Sequence, residues 1–172
     1  MTHPEFEPWL RGPVPGIPPL LQPPAHAFIH VREDVERAVE GLTPEETWTC
    51  PGGAASIGFH LAHLAGSTDR LLTYARGESL SATQFSALAA EREVANARPS
   101  LESLVDQWRT TVERALQQLA GTSETTLLEP RTVGRQRLPS TVLGLIFHSA
   151  EHAQRHGGQI ITTANIVRAA QK

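Results

Sequence analysis

The sequence predicts an all-α protein, an up-and-down four-helix bundle, on three observations. Four long stretches repeat apolar residues at helical spacing. No segment alternates apolar and polar residues over the length of a half-buried strand. Helix-capping and helix-ending residues stand at the ends of the four stretches. A chain of 172 residues suits one domain, so we expect a Pro-rich N-terminal arm over 1–24 and a bundle domain over 25–172.

The four long helices follow from apolar spacing and from the residues that end each stretch. In the first helix, for example, Phe28, Val31 and Val35 lie on one face, and Gly41 ends the pattern. Ser81 and Gln84 form a capping box that predicts a short helical insert over 82–91. A loop is expected over 121–138. The long helices are predicted over 25–40, 55–76, 101–120 and, after Pro139-Ser140, to about Ala169.

The N-terminal arm holds eight of the thirteen prolines. Proline lacks a backbone donor and fixes φ, so the arm should be extended, not helical. We expect it to pack partly on the domain, because it carries five large apolar residues that can serve as anchors. These are Trp9, Leu10, Ile17, Leu20 and Leu21.

Composition narrows the class of protein. The net charge of -3 argues against nucleic acid as a partner, because phosphate binding needs clustered Lys and Arg. No apolar run has the length of a membrane span, and no signal peptide is visible. Cys50 is the single cysteine and sits in no catalytic pattern, so a loop or small buried residue is expected there. The expectation is a cytoplasmic protein without a membrane partner.

Five of the eight histidines fall in two helical segments. His148, His152 and His156 recur every four residues and so lie on one side of the last helix, while His60 and His63 lie in the second. Both sets occupy the border of an apolar stripe, so the two helices can present imidazoles to one cleft. Imidazole is the commonest side-chain ligand of transition metals. The competing interpretation is that helix histidines of this kind are structural or accidental.

Helical phase does not identify the ligands by itself. His60 lies nearer the apolar centre of its helix than His63, so either residue is a candidate. His26 and His30 are also four apart, but they point away from the apolar stripe towards a charged face, where a solvated position is expected.

Two short motifs resemble those of the DinB/YfiT superfamily. The segment from His152 to Gln159, with H-x-x-x-H followed by x-G-Q, is similar to the family's C-terminal motif, and the segment Ala55–Ala65 resembles its second-helix motif. The resemblance covers about 25–168. It implies a four-helix bundle that binds a divalent metal ion, zinc or nickel, through His63, His152 and His156. It also implies a homodimer.

His60 and His148 are extra histidines relative to the family pattern. They are candidate catalytic residues, as proton carriers or donors beside the metal, and ordinary border residues are the equal alternative. Arg131, Arg135 and Arg137 in the predicted loop are candidates to meet an anionic substrate, with a solvated loop as the alternative.

The resemblance implies a metal-dependent enzyme with a small-molecule substrate. A thiol-dependent S-transferase that uses a low-molecular-weight thiol is the first hypothesis, and a metal-dependent hydrolase is the second. The third is a non-enzymatic, stress-related protein whose metal is structural. An open coordination position would favour an enzyme, and a fourth protein ligand would favour a structural site.

Overall fold

The computed structural model describes residues 6–170 and confirms the all-α four-helix bundle. The long helices are α1 (Gln22–Val39), α3 (Ile57–Ala75), α6 (Leu101–Gly121) and α7 (Val142–Ala169). Three shorter helices lie between them: α2 (Pro44–Trp48), α4 (Ala82–Arg92) and α5 (Val94–Ala97). The predicted insert is α4, whereas α5 was not predicted.

The order of the long helices around the bundle is α1, α6, α3, α7. The consecutive helices α1 and α3 therefore lie on a diagonal, and α7 packs against both. Fully buried side chains such as Phe28, Leu61, Trp108 and Ile146 fill the space between the four helices. This order makes α3 and α7 neighbours, and these are the two helices that carry the five clustered histidines.

Side-chain caps fix where the helices begin. Ser56, Ser100 and Thr141 each accept a hydrogen bond from a backbone N–H in the first turn of α3, α6 and α7. The predicted capping box at Ser81 and Gln84 is present with both of its hydrogen bonds. These contacts satisfy backbone donors that the helix itself leaves unpaired.

One short hairpin accompanies the helices, although the sequence shows no strand pattern. Strands β1 (Pro130–Val133) and β2 (Leu138–Thr141) form a small antiparallel hairpin that begins in the predicted loop and ends directly before α7. Gly134 and Arg137 both have positive φ in the connection between the strands. Strands of four residues are too short to show an alternating pattern, which is why the sequence did not reveal them.

The arm lies against its own chain through two of the five expected anchors. Ile17 and Leu21 belong to the hydrophobic core, while Trp9, Leu10 and Leu20 are more than half exposed. Two short 3-10 turns, Pro8–Leu10 and Pro19–Leu21, shape the described part of the arm. Among the described helices, none has both the length and the hydropathy needed to cross a membrane.

Candidate metal centre

Helices α3 and α7 bring three histidines together at the edge of the core. His63 from α3 and His152 and His156 from α7 each offer one ring nitrogen, and these three nitrogens lie within 4.8 Å of one another. Contact between these two helices could not be derived from the sequence and was assumed. The packing of α7 on α3 shows that they do.

The distances suit a shared metal ion. Nε2 of His63 lies 2.9 Å from Nε2 of His152, and the ring of His156 is centred 4.5 Å from each of the other two rings. Two imidazole nitrogens bound to one zinc ion at about 2.0–2.1 Å in a tetrahedral arrangement lie about 3.3 Å apart. Three imidazoles are also a donor set that zinc and nickel accept. The residues therefore fit such an ion.

The second nitrogen of His63 is held by a carboxylate. Nδ1 of His63 donates to Oε1 of Glu91 at 2.6 Å, and Nη1 of Arg70 donates to Oε2 of the same carboxylate at 2.9 Å. The side chains of Glu91 and Arg70 are only 11% and 13% exposed. Burial alone would raise the pKa of Glu91, but its bonds to His63 and Arg70 outweigh burial, and the pKa is lowered.

Sequence reasoning missed Glu91. It lies 28 residues after His63 on a separate helix, so no spacing along one helix connects them. The same is true of Arg70, whose contact with Glu91 also spans two helices.

His60 contacts a candidate metal ligand from the core side. Its Nδ1 lies 3.0 Å from Nδ1 of His156, and the residue is 5% exposed. This leaves Nε2 of His156 available for a metal. The expectation that His60 lies nearer the apolar centre than His63 agrees with its deeper burial; a role in catalysis stays a prediction.

His152 lacks comparable support on its far side. Its Nδ1 is buried and has no hydrogen-bond partner within residues 6–170. One nitrogen of His152 therefore meets His63, and the other meets no polar group of the described chain.

His148 lies beside the three histidines but apart from them. Its ring is centred 5.6 Å from that of His152, about half of its side chain is exposed, and Nδ1 lies 3.2 Å from Glu151. Glu151 also pairs with Arg155 at 2.6 Å, so its carboxylate contacts two residues of its own helix. A catalytic role for His148 is an untested prediction.

The candidate ligands on α7 are neutral at neutral pH. Burial, and after it the charges of neighbouring histidines, lowers the pKa of His156 to about 4. Burial is also the main cause that lowers the pKa of His152 and of His60. A metal binds the neutral imidazole, so at neutral pH these two ligands need not lose a proton first.

Two open clefts reach the clustered histidines. A cleft of about 300 Å³ between α3, α4 and α7 reaches His148 and His152. A second cleft of about 600 Å³ reaches His60 and Arg155. A further cleft of about 1030 Å³ lies between α3, α4 and α6, and its lining contains none of these histidines.

The other sequence candidates lie outside this site. His26 contacts the backbone oxygen of Gly12 at 3.0 Å, and His30 pairs with Asp34 at 3.2 Å. Cys50 is exposed in a loop. Arg131 donates to the backbone oxygen of Ala75 and pairs with Glu129, so it holds the hairpin on α3.

Comparison with known proteins finds one family. The DinB superfamily matches residues 27–160, which contain His63, His152 and His156. No curated protein matches the chain significantly.

Proposed function

Because the chain belongs to the DinB superfamily, we propose that it is a metal-dependent enzyme whose zinc or nickel ion is bound by His63, His152 and His156. The observation that carries the proposal is the convergence of three imidazole nitrogens at the edge of a cleft. The proposed reaction is the transfer of a low-molecular-weight thiol to an electrophilic small molecule. When bound, the metal would hold a thiol as its thiolate, the reactive form.

The ligand set supports an open position on the metal. Catalytic zinc sites commonly use three protein ligands, and structural ones use four. Within residues 6–170, the cluster that can hold a metal has three members. A fourth position is then left for a substrate atom.

The clefts suggest where the two reactants bind. Half-buried apolar side chains, Leu71, Leu80 and Leu88, line the smaller cleft beside His152, and this wall suits the apolar body of an electrophile. Arg155 and Thr162 line the cleft beside His60, where they can bind the charged groups of a low-molecular-weight thiol compound. His60 and His148 face different clefts and are proposed to carry protons.

A metal-loaded activity screen tests this function. The protein is loaded with zinc or nickel and mixed with cysteine or glutathione and a chromogenic aryl halide, beside His156→Ala treated in the same way. Thiol conjugation by the wild-type protein but not by His156→Ala supports the proposal. Conjugation at equal rates in both proteins would rule out the three-histidine site as its origin.

Two further measurements on the metal-loaded protein separate the alternative functions. Hydrolysis of a chromogenic ester without any thiol would favour the hydrolase. X-ray absorption of the loaded protein counts the ligands, and four protein ligands without catalysis would favour a structural metal site. A wild-type protein that binds neither ion would contradict all three functions.

A further inference from the structure

Helix α4 is attached to α3 mainly by polar contacts. No residue of α4 is fully buried. Near its start, Gln84 donates to Oδ2 of Asp69 and to Oγ1 of Thr73, both at 2.7 Å. Near its end, Glu91 reaches His63. A buried carboxylate on an otherwise exposed helix needs a physical reason, because desolvation of a charge is costly.

Each oxygen of the Glu91 carboxylate has its own partner. Oε1 accepts from His63 and Oε2 accepts from Arg70. The bond to Arg70 links α4 to α3 through one oxygen of the carboxylate. The bond to His63 uses the other oxygen and fixes a histidine that the metal site needs.

Gly66 makes room for this arrangement. A Cβ atom at position 66 would lie 2.5 Å from Oε2 of Glu91 and 2.7 Å from Nη1 of Arg70. Glycine within a helix costs about 1 kcal/mol relative to alanine, so its presence in α3 calls for a compensating contact. The pair of side-chain ends that occupies this space supplies one.

We infer that Glu91, held by Arg70 over Gly66, is a positioning residue of the metal site. A carboxylate can only accept, so Nδ1 of His63 carries the hydrogen and Nε2 presents its lone pair towards His152. Carboxylates that hold metal-binding histidines in this way fix the tautomer and raise the basicity of the ligand. This inference rests on the proposed metal site.

Substitution of Glu91 tests the role through metal affinity. Zinc affinity is measured by competition with a chromogenic chelator. We expect Glu91→Ala to lose about 10- to 100-fold in affinity. Glu91→Gln should lose less, because its amide oxygen still accepts from His63. Glu93→Ala is the matched control, because Glu93 is exposed and bonds only Asn96 among the side chains of the described chain.

Substitution of Gly66, with a second glycine as control, gives another test. It removes no polar side chain. Gly66→Ala should displace Glu91 and Arg70 and lower zinc affinity in the same direction as Glu91→Ala. Both displaced groups are the ends of flexible side chains, so the variant should still fold. Gly121→Ala at the end of α6 is the control, since it lies outside the metal site and a Cβ there meets no atom within 4 Å. It should keep the wild-type affinity.

The tautomer of His63 is read in the metal-free protein by ¹⁵N NMR. The Nδ1–H form is expected in the wild type and should be lost or mixed in Glu91→Ala. Wild-type affinity in Glu91→Ala, or a wild-type Nε2–H tautomer, would overturn the inference. If the wild type binds no zinc, the proposed function fails, and the NMR result alone decides whether Glu91 sets the tautomer.

Discussion

The three candidate ligands differ in how their second nitrogen is held. His63 is fixed by Glu91 and His156 by His60, while Nδ1 of His152 is buried without a partner in the described chain. Two of the three rings are thus oriented before a metal arrives. Such preorganisation reduces the entropy lost on binding.

Removal of a ligand should abolish metal binding without unfolding the bundle. His152→Ala and His156→Ala are expected to lose the metal, because each leaves two of the three protein ligands that such zinc sites commonly use. The core of the bundle lies beside these residues and remains intact. Elemental analysis of protein purified without a His tag measures the metal, and circular dichroism checks the fold.

His30→Ala is the matched control for these variants. His30 is also a half-buried helix histidine, and it pairs with Asp34 away from the site. Its loss should leave the metal content unchanged. Full metal content in His156→Ala would contradict the assigned ligand set.

The lowered histidine pKa values predict how stability depends on pH. His156 titrates near 4 in the folded protein and near 6.5 when unfolded. Between these values the unfolded chain binds more protons, so the free energy of unfolding of the metal-free protein should fall as pH falls from about 6.5 towards about 4. His152 and His60 contribute in the same direction.

Denaturant titration in the presence of a chelator measures this dependence. One proton accounts for at most about 1.4 kcal/mol per pH unit. His156→Gln cannot titrate and should show a shallower slope above about pH 5, where most carboxylates remain ionised. An unchanged slope would mean that His156 does not titrate differently in the folded and unfolded states.

At the scale of the elements, much of the fold follows from local patterns. The apolar spacing predicted the long helices, and Ser81 and Gln84 predicted where α4 begins. The hairpin was missed because each of its strands has four residues. The three histidines could be chosen only through the family resemblance, because helical phase favoured His60 as much as His63.

Contacts between secondary-structure elements could not be predicted from the sequence. Gly66 is a small residue within α3, and only the structure shows that the ends of Glu91 and Arg70 lie over it. Gly157 does meet another helix, since a Cβ there would lie 3.1 Å from Cγ1 of Val31 on α1. Glycine is therefore required for different contacts at positions 66 and 157, and only the tertiary packing distinguishes them.

The junction of α2 and α3 offers a test of such packing. A Cβ at Gly58 would lie 2.6 Å from Cη2 of Trp48, whose ring is nearly buried. An indole ring in the core cannot shift as cheaply as a flexible side-chain end. We therefore expect Gly58→Ala to lower the free energy of unfolding by about 1–3 kcal/mol.

Gly158→Ala is the control for Gly58→Ala. It introduces the same methyl group where no atom lies within 4 Å, so helix propensity should raise the free energy of unfolding by up to about 1 kcal/mol. Denaturant unfolding of both variants measures the difference. Equal effects would mean that the contact with Trp48 does not limit position 58.

At the scale of the whole molecule, the order of helices determines the site. Because α1 and α3 lie on a diagonal, α7 contacts both of them, and its histidine-bearing side faces α3. A bundle with consecutive helices side by side throughout would place the second and fourth helices on a diagonal, with their histidines on opposite sides of the core. The arrangement of the chain is thus a condition for the metal site.

We propose that the protein is a homodimer, held mainly by helix faces with help from the arm. Trp9 and Leu10 are 59% and 52% exposed, and Phe147 on α7 is 62% exposed. Large apolar side chains at the surface lower the free energy when a second subunit covers them. Dimers with two-fold symmetry are also the commonest oligomers. Light scattering at micromolar concentration should therefore give twice the chain mass of 18.7 kDa.

The double variant Trp9→Ser/Leu10→Ser tests the part played by the arm. Ile17 and Leu21 keep the arm anchored in the core, so the substitutions should leave the fold unchanged. A weaker dimer would assign this part of the arm to the interface, and an unchanged dimer would exclude Trp9 and Leu10 from it. A wild-type mass near 18.7 kDa would contradict the dimer. The exposed arm residues would then have to be explained in a single chain, where three of the five apolar anchors lie in solvent.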